Sequence, residues 1–206
     1  MIKATIIAVI LIALLATIVL AACNRKAPDP VRPDGLDKRL SLETMAEHDK
    51  LKPTAHKAYD IAAEVMESVY EELTAIDKRA DAYHLISEPR QALYAAYWFE
   101  AEINNGGLSQ YYFNSAGNQA AKAPKYLRAL GLNEAADILE EANAFFPSAT
   151  PPRDRRARLA ILDAVEERAS QTWYELEERF YQSAISFQPN MITYIRNNRQ
   201  EFYKLN

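Results

Sequence analysis

After Ser41 this chain has almost no place to turn back as a strand. No stretch alternates apolar and polar residues over six positions, and only four of the five glycines in 206 residues lie in this part. Apolar residues recur instead every three or four positions. Ile61, Val65, Val69, Leu73 and Ile76 form one such stripe, the spacing of a single helix face. The pattern predicts an all-α fold: a single globular multi-helix domain over residues 41–206, with about seven or eight helices of roughly 10–25 residues.

Start and stop signals divide that domain. Ser41 is placed to cap a short helix to about Leu51, and Thr54 a long one to about Arg79. Ser87 is placed to cap the next, with Pro89 tolerated in its first turn. Asn118 is read as the start of a helix to Leu130, where Gly131 suits the position just past the end. Asn133 is read as the cap of a helix ending near Phe146. Further helices are expected at about 153–168, 170–184 and 189–204, with Pro189 at a start.

The N-terminus speaks to location. Lys3 precedes an apolar run from Ala4 to Ala22, followed by Cys23 and the polar Asn24, Arg25 and Lys26. A charged start, an apolar core and small residues before a cut describe a secretory signal peptide over residues 1–22. Leu20-Ala21-Ala22-Cys23 resembles the bacterial lipobox. That resemblance implies cleavage before Cys23, which then carries a diacylglyceryl thioether and an amide-linked acyl chain such as palmitate. More than one acyl chain gives stable membrane anchoring, at about 0.8 kcal/mol per buried CH₂. The competing reading is an uncleaved anchor, because the run nears the ~20 residues that span a bilayer. Both place the domain outside the cytoplasm. Cys23 is the only cysteine, so no disulfide supports the fold. Asn24 in place of the Asp linked with inner-membrane retention points to the outer membrane. Residues 23–40 hold Pro28, Pro30, Pro33 and Gly35 and read as a linker. At ~3 Å per residue it can hold the domain up to roughly 50 Å from the membrane.

Charge excludes some partners. Lys and Arg number 24 against 28 Asp and Glu. This mild acidity shows no basic face for nucleic acid, and none is expected as a partner. Asp60, Glu64, Glu67 and Glu71 make an acidic stripe, read as a solvated helix face or as a docking surface for a basic partner. Arg153 to Arg158, "RDRRAR", puts cations at a helix start, where the dipole opposes them. They are expected to pair with carboxylates of neighbouring helices or to touch anionic lipid.

One stretch breaks the helical texture: "EINNGGLSQYYFNSAG", residues 102–117. Gly106 and Gly107 suit a helix end that needs φ > 0. Glu102, in the last turn before them, faces the negative end of the helix dipole and needs a partner. It is expected to fold across the bend and accept from the first backbone N–H groups of the next helix, which have no intrahelical acceptors. Gln110 and Asn114, four apart, are expected to pair with Asn104 or Asn105. On this reading the stretch is a polar knot fixing the angle between two helices. Two others stay open: an acid/base site using Glu102, Asn105 and Gln110, or a ligand pocket.

The same stretch resembles the signature of the DNA-mimic-protein C-terminal-domain family, small all-helical bacterial domains largely of unknown function. Its pattern is Glu, two residues, Asn-Gly-Gly, two residues, Gln, then aromatics and Asn. Glu102, Asn105, Gly106, Gly107, Gln110, Tyr111 and Asn114 match it. "ALGLNEAADIL" resembles its helix–Gly–helix continuation, and the likeness extends over about 55–205. The family is named for a member whose acidic surface imitates DNA and occupies a transcription regulator. A domain outside the cytoplasm does not meet such a regulator, so that activity is not carried over.

Other chemistry finds little support. His56, Asp60 and Glu64 share a helix face, but a di-iron site wants Glu-x-x-His pairs on two helices, and only Asp81-x-x-His84 comes near. No metal and no cofactor are expected. No His lies beside a serine elbow, and the paired Gly lacks the phosphate-loop pattern. The expectation is a non-enzyme: a lipid-anchored cell-envelope protein that binds a protein partner, with an inhibitor or immunity-like role. The alternative is a small-molecule-binding or hydrolytic domain with its site around Glu102–Asn114.

Overall fold

The structure, a computed structural model, describes residues 37–52, 58–76 and 82–205. The signal peptide, Cys23, most of the linker, Thr54, His56 and Asp81 lie outside the described residues. Helices α1 (Leu42–Lys50), α2 (Ala58–Ile76), α3 (Glu88–Phe113), α4 (Ala123–Ala129), α5 (Asn133–Asn143), α6 (Arg155–Ser183), α7 (Phe187–Asn197) and α8 (Arg199–Phe202) make up the domain, joined by short 3₁₀ turns. No strand occurs among the described residues, so the domain is all-α. None of their helices is long and apolar enough to cross a membrane.

Helix α3 is the axis, packed by α2, α4, α6 and α7. Its buried residues Leu93, Ala96, Phe99 and Ile103 repeat at three and four, and Leu108, Tyr111 and Tyr112 do so again after the glycines. Helix α6 answers with Leu162, Val165, Ala169, Trp173, Leu176 and Phe180. Phe99 meets Phe180 edge-on at 5.7 Å, and Phe180 meets Phe187 of α7 at 5.3 Å. Each large apolar side chain buried here stabilises the fold by roughly 1.5–3 kcal/mol. The stripe on α2 packs as its spacing predicts: Ile61, Val65 and Val69 are buried and Leu73 lies against the core.

A charged pair sits inside that core. Arg90 of α3 is fully buried and meets Glu72 of α2 at 2.8 Å. Its Nη1 also donates to the Glu201 carbonyl at 2.7 Å, so one guanidinium ties α2, α3 and α8. Removing one partner of such a pair typically costs about 3–5 kcal/mol.

Several helix ends follow their signals. The Ser41 hydroxyl accepts from the Thr44 N–H. Gly131 takes φ +76°, the Leu132 N–H reaches the Leu127 carbonyl, and Gly131 N–H reaches that of Arg128. This pair of bonds closes α4 in a Schellman motif. Ser87 has the extended backbone of a cap but makes no side-chain cap bond.

Other boundaries differ. The helix expected from Asn118 is a 3₁₀ turn, Ser115–Gln119, followed by α4. Asn118 spends its carbonyl oxygen on Arg158 instead. Leu132, not Asn133, precedes α5; its side chain is buried and makes no cap bond. The helices expected at 153–168 and 170–184 are one, α6, since no Gly or Pro interrupts it. The helix expected over 189–204 is α7 and α8, parted at Asn198. Residues 37–40, assigned to the linker by composition, are bound to the C-terminus. Leu40 N–H donates to Phe202 O, and Lys204 N–H to Leu40 O.

Candidate functional site

The motif forms the bend of α3. The helix runs to the paired glycines, leaves helical geometry at Gly106 (φ −167°, ψ 21°) and Gly107 (φ 75°, ψ −168°), and resumes to Phe113. Gly107 is in a region essentially confined to glycine, and its neighbourhood requires it too. A Cβ there would lie 2.3 Å from Glu177 Oε1.

Glu102 is 9% exposed. Its Oε2 accepts from Gln110 Nε2 at 2.7 Å and from Asn114 Nδ2 at 2.8 Å. Residues eight and twelve positions ahead would be distant on a straight helix, since the rise is 1.5 Å per residue. The glycine bend brings them together. Gln110 and Asn114 therefore pair with Glu102, not with Asn104 or Asn105 as expected from sequence. Both those Asn side chains are exposed. Asn105 is in the motif without contributing a side-chain bond among the described residues.

The backbone donor expected to meet Glu102 is taken by another carboxylate. Leu108 N–H, at the start of the resumed helix, donates to Glu177 Oε1 of α6 at 2.7 Å. An anion suits this end of a helix, where unpaired N–H groups and the dipole both favour it. Before the bend, the Ile103 carbonyl accepts from the Tyr181 hydroxyl at 3.2 Å. The two broken ends are thus closed by α6 from 69 and 78 residues downstream.

The far end of α3 is closed by the arginines of "RDRRAR". Arg158 is fully buried. Its Nε donates to Tyr112 O at 2.6 Å and its Nη2 to Asn114 O at 2.9 Å. Arg155 donates to Phe113 O at 2.8 Å and lies over the Phe113 ring at 4.7 Å. These cations pair with helix-end carbonyls, not with the expected carboxylates. The negative end of the dipole receives them, and Asp154 caps their own helix by accepting from Ala157 N–H. Gly117 leaves the room: a Cβ there would be 2.9 Å from Arg158 Nε.

Tyr111 and Tyr112 point inward. Tyr111 meets Phe99 edge-on at 5.1 Å. Burial pushes the Tyr111 phenol above its ordinary range, and its hydroxyl has no hydrogen-bond partner among the described residues. Tyr112 stacks on Trp173 at 5.0 Å and donates to Asn143 Oδ1 at 2.7 Å. Asn143 in turn donates to Ala120 O at 2.9 Å, fixing the turn after the motif.

Chemically, Glu102 Oε2 is an occupied acceptor. The two amides bonded to it are neutral donors, and among the described residues no hydroxyl or imidazole is bonded to it. Three hollows on the surface are lined by other residues: one between α4 and α5 beside Arg128 and Asn143, one between α1 and α2 beside His48, and one between α2 and α3 beside Trp98. Among the described residues no group of three or more His, Cys, Asp or Glu is placed to hold a metal ion. Glu177 and Arg158 escaped sequence reasoning as members of this site. The basic run singled out Arg158's neighbourhood, but nothing in "YELEER" distinguishes Glu177 from its surface neighbours.

The fold and this site define a class: an all-helical domain built on a glycine-bent central helix whose broken ends are closed by a later helix. Comparison with protein families matches residues 84–198 to the DMP19-like proteins. The chain belongs to that family. The match starts later and ends earlier than the 55–205 suggested by the motif's context. No curated protein and no solved structure matches the chain.

Proposed function

We propose that this is a lipid-anchored protein of the bacterial cell envelope that works as a protein-binding module, in an inhibitor or immunity-like role. Its anchor is acylated Cys23, and its domain lies outside the cytoplasm, at the outer membrane. The observation that carries the choice between the two sequence-level readings is the closure of Glu102 between Gln110 and Asn114. A hydrolytic or ligand site there would need that carboxylate available to a substrate. Both amides are bonded to its Oε2, the residue is largely buried, and Asn105 stands outside, bonded to none of them. The mild acidity of the chain supports a partner other than nucleic acid.

The test is a pull-down from envelope fractions with the intact acylated protein, quantified by mass spectrometry against the Cys23→Ser form. Expected results are an N-terminus at modified Cys23 and a specific protein retained by the acylated form. A native chain that keeps Met1 and an unmodified Cys23 overturns the anchor. A specific small molecule carried by the protein and lost on Gln110→Ala returns the pocket reading.

A further inference from the structure

Helices α2 and α3 leave a hollow of about 360 Å³ between them, lined by Ala63, Met66, Glu67, Tyr70, Tyr97 and Trp98. Tyr70 is 54% exposed. Trp98 is half-buried, with Tyr97 edge-on to it at 5.7 Å and Tyr94 tilted against it at 6.2 Å. Aromatic faces beside a carboxylate attract a cation twice over, through the ring quadrupole and through charge. The size is at the lower end of the roughly 300–1,000 Å³ of ligand clefts, room for a side chain rather than a large cofactor.

Charge says what kind of molecule brings the cation. Asp60, Glu64, Glu67 and Glu71 are all exposed on α2. Glu64 is held by buried His48 at 3.0 Å, whereas Asp60, Glu67 and Glu71 have no ion pair among the described residues. At 1.5 Å per residue this acidic row extends about 16 Å along the helix, past both ends of the hollow. A small free cation would occupy only its middle. A polypeptide segment with several cations matches the whole row.

We propose that this hollow seats an arginine side chain presented by a basic segment of a partner protein, its guanidinium against Tyr70 and Trp98 and paired with Glu67. Arginine fits better than lysine because its planar group both stacks on rings and forms a fork to a carboxylate. The proposal rests on the reading of the protein as a binding module, and it names the surface and the partner's chemistry.

The experiment titrates the purified full-length protein with a fluorescein-labelled alanine-based peptide carrying arginine at every fourth position, and with the same peptide carrying citrulline or lysine instead. Anisotropy reports binding, and tryptophan emission reports contact, since Trp98 is half-exposed while Trp173 is buried. The arginine peptide should bind saturably and quench emission. Glu67→Gln and Tyr70→Ala, both at exposed positions, should each weaken it roughly two- to five-fold, the range of an exposed cation–π contact. Citrulline should weaken it more than lysine does. Equal affinity for the citrulline peptide, or for both variants, overturns the proposal. So does tetramethylammonium quenching the emission as strongly as the peptide, which would make the hollow a small-cation site. In the envelope pull-down, a partner retained equally by the parent and both variants leaves the binding module standing and removes the partner from this surface. A partner lost with the variants supports both.

Discussion

Glu177 Oε1 lies 2.7 Å from the Leu108 backbone nitrogen, so the helix that resumes after the glycine bend is capped by a carboxylate from another helix. The cap is what lets a 26-residue helix break in its middle without stranding a buried donor. Glu177→Ala should therefore destabilise the protein by about 1–3 kcal/mol, the cost of an unsatisfied buried donor. Glu177→Gln keeps an acceptor and should lose less. Chemical denaturation of the two variants beside the parent measures this, and equal stability of Glu177→Ala and parent would remove the cap from the account.

Glu102→Ala leaves the Gln110 and Asn114 amides facing an empty acceptor position. Both amides are half-buried, so a loss toward the lower end of about 1–3 kcal/mol is expected. A variant that also carries Gln110→Ala should lose less than the sum of the single changes, because the two act on one bond. A Glu102→Ala protein melting at or above the parent's temperature would indicate a residue held at a stability cost for function, and would restore the pocket reading.

The paired glycines should respond unequally. Gly107→Ala places a side chain at φ +75° and into the Glu177 carboxylate. Backbone strain alone costs about 1–3 kcal/mol there, and displacing Glu177 adds to it. Gly106 has φ −167°, extended backbone open to any residue, and a Cβ would meet the Gln110 side chain at 2.3 Å. Moving that flexible amide loses one hydrogen bond, about 0.5–1.5 kcal/mol. Thermal melts that rank Gly106→Ala as the more damaging change would contradict this assignment.

Glu100 makes stability depend on pH. Burial raises its carboxyl to about 7, although the Gln188 amide donates to it at 2.6 Å and partly opposes the rise. The folded chain thus holds a proton that the unfolded chain releases near pH 4.5. Between those values the folded state binds more protons, so stability falls as pH rises and levels off above about 7. Glu100→Gln should flatten this part of the melting profile and raise the melting temperature at pH 8. An unchanged slope in that variant would mean that another group carries the dependence.

Much of the architecture was legible in the chain itself. Helical periodicity, scarce glycine and the Schellman glycine at 131 act over a few residues, so local sequence determines them. The bend was legible for the same reason: only glycine enters the conformation of Gly107 at no cost. The closure of that bend was not. Glu102 needed a partner by the dipole argument, and which one it found depended on how far the bend turned Gln110 and Asn114 back. Glu177 and Arg158 come from another helix, and a carboxylate on α6 looks the same in sequence whether it faces water or a stranded N–H. The break expected between residues 168 and 170 does not occur, because the unbroken stripe from Leu162 to Phe180 packs along α3 and keeps the helix whole. Local conformational preference thus determined where the chain bends. Long-range packing decided which side chains meet at the bend, because those contacts form only once α6 lies beside α3.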